Sequence, residues 1–241
     1  RLVLCGAVSG GDNQADYDSA LSRLEDYYTR FNSLNPLVSF KMGFHAEYTT
    51  HISILKGIAE LAKKYKQPLY THNSETANEG QGCIERHGMT PTALMESLGM
   101  FEYGGGGFHC VHMTDEDLNI FRKRGLCVVT NPCSNCKLAS GIAPITMLLS
   151  EGIPVAIGTD GPASNNALDF FREMYLTSVL AKIHDEDAAA LPAMEVLKMA
   201  CHTGAPTCFY QSLVDSDYDE KNPLQVFESV YDTIVDRKRN P

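Results

Sequence analysis

Histidines and carboxylates recur in this chain where short apolar runs end. His72 closes Pro68-Leu-Tyr-Thr-His72, and Glu75 follows three residues later. His109 lies in Gly-Phe-His109-Cys-Val-His112, and His45 in Gly-Phe-His45-Ala-Glu-Tyr48. Asp160 follows the run Val155 to Ile157, in Gly158-Thr-Asp160-Gly-Pro-Ala-Ser-Asn-Asn166. Apolar, β-branched runs that stop at turn residues read as buried strands. A lone histidine at a strand end is more often a satisfied core residue than a ligand, and a lone aspartate there often caps the next turn. Three histidines with an aspartate and a glutamate in equivalent positions are hard to explain by packing. The set suits a divalent metal bound by imidazole and carboxylate, with the other groups moving protons, which is the chemistry of a metal hydrolase.

Such residues meet only if the strand ends converge. The spacing predicts strands over Arg1 to Gly6, Val38 to His45, Pro68 to His72, Gly106 to Met113, Cys127 to Thr130 and Val155 to Ile157. Helical patterns lie between them. Ala15 to Asn32 repeats Leu21, Leu24, Tyr27, Tyr28 and Phe31, and a helix capped by Thr49 or Thr50 carries Ile54, Leu55, Ile58, Leu61 and Ala62 on one face. Thr114 to Asp117 opens another helix that Gly125 ends, and two more run from about Leu168 to Ile183 and Pro192 to Cys201. Strands separated by helices imply parallel pairing with right-handed crossovers, as in an α/β barrel or a doubly wound sheet. In a barrel, all C-terminal strand ends open into one mouth. Residues 1–210 are expected to form this body. An acidic loop (Asp215, Asp217, Asp219, Glu220) and a helix from about Leu224 to Val235 are expected to pack outside it, within residues 211–241.

Composition narrows the classes. The chain has 241 residues, 44% hydrophobic and 21% charged, as in a soluble globular domain. A formal net charge of −10 argues against nucleic acid or anionic membrane as a partner. No apolar run approaches the roughly 18 residues of a membrane span, and no signal-peptide pattern opens the sequence. Eight scattered cysteines suit reduced thiols in a cytoplasmic protein. Cys133-Ser-Asn-Cys136 has CxxC spacing but no second pair, so a redox or structural-zinc role is disfavoured. Gly104 to Gly107 reads as a flexible entry to a strand. Asn131 and Lys137 read as loop residues near the mouth that either touch substrate or cap the loop, and Tyr48, Ser164 and Asn165 as residues that contact substrate or, the favoured reading, close turns. His51, His87, His184 and His202 read as surface or helix residues.

Four segments carry a more specific likeness: His72-Asn-Ser-Glu75, Gly-Phe-His109-Cys-Val-His112, Asn131-Pro-Cys-Ser-Asn-Cys-Lys-Leu-Ala-Ser-Gly141 with Ile-Ala-Pro144, and Gly158 to Asn166. In this order they resemble the metal-dependent amidohydrolase superfamily, in the branch of the S-adenosylhomocysteine/methylthioadenosine deaminases and triazine chlorohydrolases. The resemblance implies a TIM-type (β/α)8 barrel, here incomplete, with about six strands and without the first two. It implies one divalent metal, zinc first, with iron or manganese as alternatives. His72 and Asp160 would be metal ligands. Asp160 would also act as general base, Glu75 would pass a proton to the substrate ring, and His109 would orient the attacking hydroxide. His45, Glu75 and Asp160 would contact an adenosine-like substrate, which loses ammonia. Guanine-type deamination, triazine dechlorination and a non-catalytic remnant are the alternatives. The family's first-strand His-x-His pair has no match in this sequence, so the chain is expected to start near the third strand. The unpaired sheet edge this leaves predicts a homo-oligomer.

Overall fold

The computed structural model describes residues 2–36 and 38–203; the acidic loop and helix expected after residue 213 lie outside the described residues. Strand and helix alternate: β1 (Leu2–Cys5), α1 (Gln14–Leu34), β2 (Val38–Gly43), a 3-10 turn (Glu47–Thr49), α2 (Ile52–Tyr65), β3 (Leu69–Asn73), α3 (Ala77–His87) and α4 (Pro91–Ser97). There follow β4 (Gly105–His109), α5 (Asp115–Arg124), β5 (Cys127–Thr130), α6 (Pro132–Lys137), α7 (Ile145–Ser150), β6 (Val155–Ile157), α8 (Pro162–Asn165), α9 (Phe170–His184), α10 (Ala193–Lys198) and a π-helical turn (Met199–Thr203). The strands pair in chain order, β1-β2-β3-β4-β5-β6, and every pair is parallel. The sheet curls into half a barrel, with its C-terminal edge as the mouth. Among the described residues no helix is long and apolar enough to cross a membrane.

The strands form where a run can be covered on both faces. Every residue of β5 and β6 is buried, which is why their valines and Ile157 show no polar alternation. The helices cover the outer face. Leu24 of α1, Ile54, Leu55 and Ile58 of α2, Phe121 of α5 and Leu148 of α7 are fully buried in one core. Each such side chain contributes about 1.5–3 kcal/mol.

Three expectations need correction. The helix α2 is capped by His51, whose Nδ1 accepts from the Ser53 amide; Thr49 and Thr50 are taken up by the preceding turn. Gly105 to Gly107 are not an entry loop but part of β4 itself. At Gly105, φ is 135° and an added Cβ would meet the Leu69 carbonyl oxygen at 1.9 Å, so only glycine lets β4 approach β3 this closely. Finally, β4 stops at His109 and does not reach Met113. His109 and Cys110 have φ of 68° and 50°, a left-handed bend that turns the chain out of the sheet.

Candidate active site

Three imidazoles stand in a row at the mouth. His45 just follows β2, His72 is the penultimate residue of β3, and His109 ends β4. Ring centroids are 4.8 Å apart for His45 and His72, and 5.3 Å for His72 and His109. Each ring has its Nδ1 tied down. The Thr49 hydroxyl donates to the Ala46 carbonyl and accepts from His45 Nδ1 at 2.8 Å. His72 Nδ1–H donates to the His45 carbonyl at 2.6 Å, and His109 Nδ1–H to Asn135 Oδ1 at 2.7 Å. The neutral rings therefore keep Nε2 as a lone-pair nitrogen, the arrangement in which protein imidazoles bind metals or accept protons. Burial, then the adjacent His72, lowers the pKa of His45; burial, with His109, lowers that of His72 against the hydrogen bond to the His45 carbonyl and the weaker pull of the carboxylates.

Asp160 sits just beyond β6 in a left-handed conformation, φ 55°. Its carboxylate accepts from Ser134 Oγ at 2.6 Å, Ser164 Oγ at 2.7 Å and the Gly161 amide at 2.7 Å. Burial pulls its pKa upward, but these three donors together with His109 outweigh it, so Asp160 is held below the usual carboxylate range. The strand end is fitted tightly. A Cβ on Gly158 would meet Asn131 Oδ1 at 2.4 Å. Ser164, for which turn closure was favoured over substrate contact, is bonded to the site's aspartate, whereas Asn165 is structural, donating to the Thr159 carbonyl and to the buried Glu173.

Glu75 completes the set. Its Oε1 accepts from Ser140 Oγ at 2.9 Å, and its Oε2 lies 3.7 Å from His109 Nε2. That separation is too long for a hydrogen bond, yet both atoms can touch one further atom. His109 is 1% exposed and its Nε2 has no partner. A buried polar atom left bare at a strand end calls for an explanation by function or by an unseen bound species.

The five residues singled out in the sequence are thus gathered, and others join them. Ser134 and Asn135 on α6 hold Asp160 and His109, and the buried Glu79 accepts from the Ser74 and Glu75 amides at 3.1 and 2.8 Å, fixing the turn that carries Glu75. The motif Asn131-Pro-Cys-Ser-Asn, placed directly after a strand, was the available signal for the first two. Lys137 is no loop residue: it ends α6 and donates to the Ala163 carbonyl at 2.7 Å. His112 is off the strand and bonds Ser140 O at 2.7 Å. His87, expected to be a bland helix residue, joins Arg86 in bonding the buried Glu47, which anchors the turn after His45. Cys110 is buried beside His109, and burial drives its thiol well above the ordinary value, unlike a nucleophilic cysteine. A groove of about 600 Å³ between α1 and α2, with Tyr17, Leu21 and Lys56 on its walls, lies on the outer helices and holds none of these groups.

The model of the amidohydrolase family matches residues 12–209. The chain belongs to the amidohydrolase family. A 5-methylthioadenosine/S-adenosylhomocysteine deaminase of Caldanaerobacter subterraneus is 40% identical over 216 residues, spanning 88% of this chain and 50% of that protein. A 5'-deoxyadenosine deaminase of Methanocaldococcus jannaschii is 40% identical over 207 residues, 85% of this chain and 49% of the relative. Among solved structures, a zinc-bound adenosine deaminase from Xanthomonas campestris superposes with a TM-score of 0.72 at 31% identity, covering 87% of this chain and 47% of its own. The chain spans about half the length of the relatives it matches. In this family member the donors suit a divalent cation in kind: imidazole Nε2 atoms with Nδ1 pinned, an ionised carboxylate, and one orphaned nitrogen. In number they form a partial set, since among the described residues no three His, Cys, Asp or Glu side chains are placed to hold a metal ion.

Proposed function

We propose that this chain carries active-site residues of a hydrolytic deaminase acting on an adenosine-like nucleoside. The observation that carries the reading is the unpartnered Nε2 of His109, set between Glu75 and the His72 ring on a scaffold of the amidohydrolase family. The deaminase names of relatives at about 40% identity support the substrate class.

In this reading His72 and Asp160 would hold a divalent cation, zinc in the first instance. The cation, when bound, supplies a water whose pKa is brought toward about 7. Asp160, kept ionised by Ser134, Ser164 and the Gly161 amide, takes a proton from the attacking water as its oxygen adds to the amidine carbon. His109, pinned through Asn135, aligns the attacking oxygen. Glu75 delivers a proton to the ring nitrogen, so that the electron pair arriving at carbon is accepted; Asp160 then passes the proton it took from water to the amino group, which leaves as ammonia, while the proton of the added hydroxyl returns to Glu75 as the carbonyl forms. His45, at the end of the row next to His72, would contact the substrate. His45 and His72 are neutral at pH 7, as ligation and hydrogen-bond acceptance both require.

Replacing Asp160 by Asn keeps its size and removes the base. Turnover of S-adenosylhomocysteine, methylthioadenosine and 5'-deoxyadenosine, followed by ammonia release, is expected to fall at least 1,000-fold, of the order that acid–base catalysis and ligation supply together. Unchanged turnover in Asp160→Asn removes the role assigned to it.

A further inference from the structure

Glu75 is an ordinary carboxylate by residue type, yet its two oxygens are not equivalent here. Ser140 is 4% exposed and spends its single hydroxyl hydrogen on Oε1, at 2.9 Å. Oε2 is the oxygen beside the bare His109 nitrogen. The backbone that carries this hydroxyl is held at both its amide and its carbonyl. The Ser140 amide donates to the Asn135 carbonyl at 2.8 Å, and the Ser140 carbonyl accepts Nε2–H of His112 at 2.7 Å. Ala139, immediately before it, is held at φ 56°. The amides of Val111 and His112 in turn donate to the Ser74 carbonyl, at 3.1 and 2.9 Å, next to Glu75. A closed ring of contacts results, running from Glu75 through Ser140 and His112 back to Ser74. Asn135 ties that ring to His109, since its side chain accepts from His109 while its carbonyl accepts from Ser140.

We propose that Ser140, held by His112, is a positioning residue that makes Oε2 of Glu75 the oxygen that carries and delivers the proton. The inference rests on the deaminase reading and deepens it. An oxygen already accepting a hydrogen bond is the poorer site for a proton, so protonated Glu75 bears its hydrogen on Oε2. There it faces the reacting atoms near His109 instead of the loop. In the protonated acid the same contact favours the orientation in which the carbonyl oxygen meets Ser140 and disfavours the one in which the hydroxyl does and the proton points away from substrate.

The test combines steady-state kinetics with crystal structures of three variants in the intact protein. Ser140→Ala is expected to lower kcat about 10- to 100-fold with KM within about twofold, part of the ~10²–10⁴-fold that a placed acid or base provides, and to release Glu75 from its single orientation. Ser140→Thr, which retains the hydroxyl, is expected to restore both. His112→Phe, which keeps a ring but not the bond to the Ser140 carbonyl, is expected to shift Ser140 and lower kcat by a smaller factor. An unchanged kcat in Ser140→Ala, an unchanged orientation of Glu75, or a loss confined to KM overturns the proposal. Should the wild-type protein deaminate none of the nucleosides, the deaminase reading fails by itself, and the Glu75 orientation in the Ser140→Ala structure still decides whether Ser140 positions it.

Discussion

His45 and His72 contribute to the site by staying uncharged. Both have pKa values lowered by burial and by a neighbouring imidazole, so in the unfolded chain they take up protons at a higher pH than in the folded one. Stability therefore has a component that is fully present above the ordinary imidazole value of about 6.5 and is lost as pH falls below it, until the lowered native values are passed. Thermal melts of metal-free protein between pH 5 and 7.5 are expected to show this decline, and His45→Asn to flatten it; an unaltered slope in the variant means His45 is not so perturbed. These histidines, with Asp160 and Glu75, were legible in the sequence because each directly follows a short apolar run or lies three residues beyond one. Ser140, Ser134 and Glu79 were not. Their partners lie on other segments, Glu75 being 65 residues from Ser140, and nothing in a serine's neighbours along the chain states which carboxylate it will meet.

At the scale of elements, helix ends were legible where capping chemistry is local. Thr114 and Asp117 form the expected reciprocal capping box at the start of α5, and Gly125 closes it with φ 62°. Asp117 is fully buried and also accepts from Thr90 Oγ1, the cap of α4, so the two helix starts share one carboxylate. Thr114→Ala is expected to cost about 0.5–2 kcal/mol in urea denaturation, with the upper part of that range reflecting the partner left with fewer donors. A cost near zero means the box is frayed in solution. The six-residue helix α6 escaped sequence reading because it is too short to show periodicity, although Pro132 at its first turn is a helix-start signal. The overlong reading of β4 failed for another reason. Phe108 to Met113 continues apolar enough to suggest a strand, while the left-handed turn at His109 and Cys110 is set by packing, not by any glycine or asparagine.

For the molecule as a whole, a parallel sheet with helices was legible from alternation alone, whereas the curl that brings six strand ends to one mouth is a property of the sheet's twist and of its side-chain packing. Among the described residues β1 and β6 each pair with a single strand. The π-helical turn packs against β6. Open edges of this kind recruit further strands, so light scattering on this chain is expected to show concentration-dependent self-association, and a monodisperse monomer throughout counts against it. The strict chain order of the sheet also bears on how the protein comes to exist. Each strand pairs with the one made just before it, so no strand must wait for a partner beyond its neighbour in the chain. On a ribosome, every new strand–helix unit meets a finished surface on which to dock. The order of the strands along the chain also orders the site: His45, His72 and His109 are made before Asp160.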